Sequence, residues 1–369
     1  MGFQVRGFDG YACDITLGDQ PDVIGVLGHL DVVDPGEGWD TDPYGAVEKD
    51  GMLYGRGTDD DKGPVVAALL AMRAVRDSGA VGLGGAGFPT SVKLKVDPAR
   101  VEYILVNGAE CEPYITSDTH SMVDNPDRIY AGLAALKRFY PDARIIIGIE
   151  NNKETAIGIM RRYTDHVDRC DVCELPASYP QGGEKVLIYN TTGRIVPEGK
   201  LPIDVGCIVL NATTLSFIGK YLMTGQPLTT KCITVDGSAV REPQNVIAFI
   251  GTSVRDVAEF AGGLLEEPKK VLYGGPMMGL AIPDMDQPVL KNTNALLFMG
   301  ERDAVLPEPS QCIHCGRCLD ACPLKLMPTE MEHACERRDI ERLKKLKVNL
   351  CMECGSCAAQ CPAEAIVQE

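Results

Sequence analysis

The feature that most constrains this chain is a pair of cysteine runs near its C-terminal end. Cys312, Cys315, Cys318 and Cys322 are followed by Pro323, and Cys351, Cys354, Cys357 and Cys361 by Pro362. Each run reads C-x2-C-x2-C-x3-C-P, a recognised pattern for a pair of [4Fe–4S] clusters in which the fourth cysteine of each run serves the other cluster. The chemistry fits, because a cubane needs four soft thiolates at tetrahedral corners. Three closely spaced cysteines wrap one cluster, and the fourth, before proline, points away. Cys312, Cys315, Cys318 and Cys361 are therefore expected to hold one cluster, and Cys351, Cys354, Cys357 and Cys322 the other. Structural zinc is the competing reading, but zinc sites join two C-x2-C halves without a third cysteine or a C-P ending.

Fifteen cysteines with eight in this spacing imply a reducing compartment, the cytoplasm, rather than a disulfide framework. The net charge of −16 argues against nucleic acid as a partner, since phosphate binding needs a basic surface. No run of 18 apolar residues occurs, so no direct membrane span is expected. The first residues, MGFQVRGFDGYACD, lack the apolar stretch of a secretory signal.

Residues 1–80 have a different character. The apolar run Asp22–Leu27 reads as a buried strand and Val65–Arg76 as a helix. Between them His29, Asp31 and Asp60 are ligand types suited to a dinuclear zinc centre, with Asp31 able to orient an imidazole and Asp60 able to bridge. The stretches GHLDVV, GWDTDPYGAV and LYGRGTDDDKGP resemble the dinuclear zinc dipeptidases of the carnosinase and PepV type. The resemblance implies zinc ligation by His29 and Asp60. The glutamate pair, the later acidic ligand and the distant histidine of that family have no match after position 80. His29 and Asp60 are thus vestigial zinc ligands in a peptidase fragment, and zinc itself is not expected.

From Val81 the chain changes again. Gly82-Leu83-Gly84-Gly85-Ala86-Gly87 is a glycine-rich loop able to bring backbone N–H groups close to a phosphate, with Lys93 just beyond. Val101–Val106 and Ala143–Ile149 read as strands. Pro126–Tyr140, with Asn125 before it and proline at its first position, reads as a helix, and so does Lys153–Tyr163. This alternation predicts an α/β sheet with crossovers. Farther on, strand patterns flank Asp236-Gly237, a hairpin signal, and a helix spans 253–260. Among the clusters, Thr329 and Glu332 fit a capping box, and Asp339 a second helix cap.

GLGGAGFPTSVKL, VNGAECEPYITSD, YPQGGEKVLI and VLNATTL, together with the cysteine runs, resemble the C subunit of the Rnf ion-translocating oxidoreductase, a family related to the flavin-carrying NADH-binding subunit of respiratory complex I. The resemblance implies FMN at Gly84, Gly85, Gly87 and Lys93 (phosphate and ribityl chain), with Asn107 and Glu110 beside the isoalloxazine. Gly183, Glu184 and Asn211 match further flavin and nicotinamide contacts, with Thr213 close by. It implies NADH as substrate, and as partners a ferredoxin and the membrane subunits of the complex, with the chain peripheral on the inner face of the cell membrane. Read from residues alone, Glu110 and Glu184 are solvated loop carboxylates, and Phe88 is either a core aromatic or a shelter for the nicotinamide.

The expected fold class is α/β. A dipeptidase-like fragment spans 1–80, a Rossmann-like FMN/NADH domain 81–226 and a soluble-ligand-binding β-grasp domain 227–264. A connector at 265–310 leads to a helical ferredoxin-like domain with two [4Fe–4S] clusters at 311–369. The switch at Arg76–Ala80 reads as the join of a chimera, from gene fusion or from an assembly error. The leading functional expectation is electron transfer between NADH, FMN and the clusters. The alternatives are a zinc dipeptidase and a cluster-carrying interaction subunit without flavin.

Overall fold

The computed structural model describes residues 4–8, 12–16, 37–42, 44, 47–49, 52–54, 82–84, 87–305, 308 and 310–363. The chain divides into two compact units: residues 1–79 with Lys95–Asp97, and residues 80–94 with 98–369. In the first unit, β1 (Gln4–Phe8) pairs antiparallel with β2 (Ala12–Thr16), and β3 (Val47–Lys49) with β4 (Met52–Tyr54). The strand and helix expected at 22–27 and 65–76 lie outside the described residues, as do His29, Asp31 and Asp60.

The second unit is built first on a four-stranded parallel sheet in the order β7-β6-β5-β8 (Cys170–Leu175, Arg144–Glu150, Tyr103–Gly108, Cys207–Asn211). The central strands read YILVNG and RIIIGIE, the near-continuous apolar pattern of strands covered on both faces. Helices Pro126–Phe139 and Glu154–Thr164 form as the sequence predicts, each shifted by a residue at most. Helix Pro126–Phe139 lies against helix Ala212–Thr224 at very short range. A Cβ on Gly132 would stand 2.6 Å from Leu215 Cδ1, and one on Gly219 would collide with the Arg128 carbonyl oxygen.

The strand order places the chain's reversal between β5 and β8. In open α/β sheets ligands bind outside the carboxyl ends of the strands at such a switch point. Asn107, Glu110 and Asn211 all lie at that end.

A second, five-stranded sheet follows in the order β10-β9-β13-β11-β12 (Gln244–Phe249, Thr230–Asp236, Ala295–Met299, Lys270–Tyr273, Leu280–Ala281). Ile233, Val235, Val246, Val257, Leu296 and Phe298 form its core. Two expectations change here. Residues 265–310 are no connector: β13 enters the middle of this sheet, parallel to β9, because ALLFM is buried at every position. Asp236-Gly237 is no tight hairpin either. Gly237 has φ +115° and its α-carbon lies against the Phe298 backbone, so the chain runs on through 237–243 before β10 begins. Helix Val254–Phe260 forms as expected, capped by the Ser253 hydroxyl, which accepts from Asp256 N at 3.1 Å.

The C-terminal segment holds short helices at Arg317–Ala321, Pro328–Glu336, Ile340–Lys345 and Ser356–Ala359. They close on Cys322, Leu326 and Met331, with Leu343, Leu346 and Leu350 packed against them. Asp339 caps its helix as predicted, accepting from Arg342 N at 2.9 Å. The capping box does not form. Pro328 starts its helix two residues early, with Met327 at the cap position, and the Thr329 hydroxyl instead lies 3.3 Å from Cys318 Sγ. Among the described residues no helix is long and apolar enough to cross a membrane.

Candidate functional site

The glycine loop reaches the switch point because Gly84 has no side chain. A Cβ there would stand 2.8 Å from Asn211 Nδ2. Gly87 has φ +65°, the left-handed region that glycine adopts without strain; Gly85 lies outside the described residues. Leu83 is pinned at both ends of its backbone: its N–H donates to Thr214 Oγ1 at 2.9 Å, and its carbonyl accepts from Lys231 Nζ at 2.6 Å. Lys231 comes from β9 of the second sheet and is 4 % exposed. Burial pulls its ammonium down to about 7, against the pull of Asp118.

Asn211 ends β8 and caps helix Ala212–Thr224. Its Oδ1 accepts from Thr214 N at 3.1 Å, and its Nδ2 donates to Asp118 Oδ2 at 2.6 Å. Thr213 donates to the other oxygen of Asp118 at 2.6 Å and meets Ser121 Oγ at 2.7 Å. Asn107 Nδ2 donates to the Gly182 carbonyl at 2.8 Å, tying the end of β5 to the loop before helix Glu184–Thr192. Lys93 Nζ is 2.8 Å from Glu184 Oε1 and 3.2 Å from the Val209 carbonyl oxygen, and it lies 5.9 Å over the Phe88 ring.

Several residue-level expectations are corrected by this geometry. Glu110 is not a solvated carboxylate. It is buried and accepts from Asp118 N at 2.7 Å, Thr119 N at 3.1 Å and Thr119 Oγ1 at 2.7 Å, so it sits on the N-terminus of helix Ser117–Asp124. Burial first, and the Asp118 charge second, push its carboxyl up to about 7. Glu184 is half-exposed but ion-paired. Phe88 is 47 % exposed and so is no core aromatic. Lys231, buried, and Asp118, partly buried, are charges that the sequence did not single out. The one signal for Lys231 is a lone cation inside an otherwise uncharged run, LTTKCITV.

A cavity of about 360 Å3 opens beside these groups, lined by Glu110, Cys111, Glu112, Glu150, Lys153 and Tyr179 among others. The Glu112 carboxylate accepts from Met277 N at 3.1 Å and Met278 N at 2.9 Å, so the loop after β11 is bound to the cavity wall. Burial raises both Glu112 and Glu150 above the usual carboxylate range. Cys111 Sγ accepts from Gly182 N at 3.2 Å, and burial pushes its thiol up to about 11.

The two cysteine loops repeat one local conformation. His314 N donates to Cys312 Sγ, and Glu353 N to Cys351 Sγ, each at 3.4 Å. His314 and Glu353 have φ +55° and +54°, and Gly316 and Gly355 have +77° and +73°. Leu326 N donates to Cys322 Sγ at 3.3 Å, and Ser356 Oγ is 3.4 Å from Cys354 Sγ. All eight cysteines are free of disulfides. Among the described residues no three His, Cys, Asp or Glu side chains gather where a single metal ion could be held. Free thiols, each loop folded so that backbone N–H groups aim at sulfur, fit the ligand chemistry of cubanes, whose corners are set apart. Cys170 and Cys173 lie on β7, where residues three apart face opposite sides.

The second unit thus combines a parallel sheet, a glycine loop at its switch point and paired cysteine loops. Known families match these same stretches. Residues 75–220 match the Nuo51 FMN-binding domain, 232–281 the SLBB domain and 309–365 the 4Fe-4S dicluster domain. Residues 25–85 match peptidase family M20/M25/M40, so two unrelated families meet at 75–85. The chain is 42% identical over 277 residues to the C subunit of the proton-translocating ferredoxin:NAD(+) oxidoreductase complex of Clostridium ljungdahlii, covering 75% of this chain and 60% of that one. It is 37% identical over 309 residues to the Na(+)-translocating counterpart of Acetobacterium woodii (84% and 65%). It is 39% identical over 258 residues to the C subunit of the ion-translocating oxidoreductase complex of Cronobacter sakazakii (70% and 33%). Over these spans the chain is homologous to the C subunits of Rnf complexes, and it spans about 60% of the length of the first of them. Its fold is similar to chains of an NAD+-reducing [NiFe]-hydrogenase, air-oxidized (TM-score 0.52, 22% identity, 63% of this chain and 46% of that one) and H2-reduced (0.55, 20%, 80% and 59%).

Proposed function

We propose that this chain is the electron-transfer subunit of an Rnf-type complex, moving electrons between NADH and two [4Fe–4S] clusters by way of FMN. One observation carries the reading: the carboxyl ends of β5 and β8 gather the glycine loop, Asn107, Lys93 and Asn211 in one unit with the paired cysteine loops. Bound FMN supplies the exchange between a two-electron hydride donor and one-electron carriers. The amides of the glycine loop and the Lys93 ammonium would hold its phosphate, with Gly84, Gly85 and Gly87 leaving room for the approach. Asn107, Glu110, Gly183, Glu184 and Asn211 would line the ring and the nicotinamide side. Cys312, Cys315, Cys318 and Cys361 would hold one cluster, and Cys351, Cys354, Cys357 and Cys322 the other. The N–H donors aimed at Cys312, Cys351 and Cys322 would make negative charge on those sulfurs less costly and so would raise the reduction potential of clusters held there.

Electrons would pass to or from a ferredoxin and the membrane subunits of the complex, with this chain peripheral on the inner face. Its domains are proposed as a flavin domain over 81–226, the five-strand sheet domain over 227–310 and the dicluster domain over 311–369. The stretch similar to M20 peptidases offers only His29 and Asp60 toward a dinuclear site and is not proposed to hydrolyse peptides.

The test is anaerobic purification and cluster reconstitution of the full chain. About eight irons per chain, as two cubanes require, with FMN released on denaturation and bleaching of both on NADH addition, is the expected result. Two zinc ions with little iron would replace this reading by the peptidase one. Eight irons without flavin would leave a cluster-carrying interaction subunit.

A further inference from the structure

The two cysteine loops are alike in conformation but not in surroundings. The second is bolted to the flavin domain. Tyr179, in the loop before helix Glu184–Thr192, donates its hydroxyl to the Cys354 carbonyl at 2.7 Å. Met352 lies so close to Gly183 that a Cβ there would stand 2.5 Å from Met352 Cε. Gly183 has φ −62°, which any residue adopts, so its missing side chain matters here for space and not for backbone freedom. Just before the loop, Asn349 Nδ2 donates to Glu198 Oε1 at 3.0 Å, and Lys347 Nζ is 3.7 Å from the other oxygen of Glu198. The hydrogen bonds of the first loop run elsewhere: His314 N to Cys312, Thr329 to Cys318 and Leu326 N to Cys322 all stay within the C-terminal segment.

The loop carrying Tyr179 also forms one wall of the flavin site. Gly182 takes the Asn107 amide on its carbonyl, and its N–H points at Cys111. A six-residue stretch, 178–183, thus touches the switch point through Gly182 and the second cysteine loop through Tyr179 and Gly183.

We infer that the cluster held by Cys351, Cys354, Cys357 and Cys322 is the one next to the flavin, that the cluster of Cys312, Cys315, Cys318 and Cys361 is the outer one, and that Tyr179 and Met352 position the inner one. The inference rests on the function proposed above. One electron enters the inner cluster, reducing it by one, and leaves it for the outer cluster, which is reduced by one in turn. Two such passages account for the two electrons released when NADH is oxidised to NAD+ and a proton. The path runs in reverse when the partner is the donor.

The experiment uses the full chain loaded with FMN and both clusters, and three variants: Cys315→Ser, Cys354→Ser and Tyr179→Phe. Loss of one cluster in each serine variant, checked by iron content, assigns the two EPR signals. A dye-mediated reductive titration, which needs no turnover, then reads the midpoint potential of each signal in Tyr179→Phe. A shift confined to the signal that Cys354→Ser abolishes is expected; a shift confined to the other signal, or none, overturns the inference. NADH is then added to the serine variants. The cluster left in Cys315→Ser is expected to be reduced by NADH, and the one left in Cys354→Ser only by dithionite; the reverse pattern overturns the inference. If the serine variants lose both clusters, the Tyr179→Phe titration, compared with Thr329→Val as the matching change at the first loop, decides alone: each must move a different signal, and a common one overturns the assignment. If the unaltered chain takes up little iron, the proposed function falls and this inference with it. If iron is full and NADH reduces neither cluster, the nicotinamide part of that function falls, while the titration still decides the order of the clusters.

Discussion

Glu110, buried, and Asp118, partly buried, are two carboxylates that share one small network with the Lys231 ammonium. Burial raises both acids and lowers the lysine. An acid held above its ordinary value keeps its proton in the folded chain after the unfolded chain has lost it. The stability Glu110 contributes is therefore fully present below about 4.5, its ordinary value, and is lost as pH rises through about 7. Glu110→Gln keeps an oxygen to accept from Asp118 N and never ionises. Urea unfolding at pH 5 and at pH 7.5 is expected to show a smaller loss of stability between the two pH values for the glutamine variant than for the native chain. An equal loss in both chains would show that Glu110 does not titrate in that window. Asn107, Glu110 and Asn211 became candidates only through the resemblance of VNGAECEPYITSD and VLNATTL to the Rnf C subunits. Asp118 and Lys231 stayed hidden because each is polar in a locally ordinary position. Only the meeting of β9 with the glycine loop, more than a hundred residues apart, buries them together.

At the scale of elements, periodicity worked where helices and strands were long. The apolar runs of β5 and β6 and the helix Pro126–Phe139 were legible to within two residues, although the Asn125 side chain makes no cap. It failed where a partner from far away decided the outcome. ALLFM at 295–299 is too short to declare itself, yet it supplies a central strand of the second sheet because the Thr230–Asp236 strand offers it a free edge. The glycines of the crossing helices were equally silent, since Gly132 and Gly219 lie inside good helical patterns. Their lack of a side chain lets helices Pro126–Phe139 and Ala212–Thr224 touch backbone to backbone. Gly219→Ala would force them apart and is expected to cost about 1–3 kcal/mol, the range for overpacking a close contact. Alanine otherwise favours a helix interior by roughly 1 kcal/mol over glycine. Thermal unfolding therefore discriminates clearly: a raised midpoint would mean that the close crossing does not exist in solution.

For the molecule as a whole, the cysteine spacing was the most informative part of the sequence, because cluster chemistry dictates spacing directly. The first 79 residues were the least, since two families overlap where they end. A chain beginning at residue 80 is expected to retain iron and flavin in the amounts bound by the full chain. Retention of both at native stoichiometry, measured by metal and flavin analysis, would assign cofactor binding wholly to the second unit, and loss of the flavin alone would tie residues 1–79 to that site.

The bond from Lys231 to the Leu83 carbonyl has a further consequence. It belongs to a set of cross-links between the two sheets, with Thr116 N on Thr234 Oγ1 at 3.0 Å, Asn245 Nδ2 on Thr116 Oγ1 at 2.7 Å and Glu112 under the Met277 and Met278 amides. Family patterns draw a seam between residues 220 and 232, but the hydrogen bonds are stitched across it. A gene segment ending at 226 would encode a flavin loop stripped of its ammonium and a cavity wall stripped of its amides. Recombination that exchanges one of these halves must therefore carry the other with it.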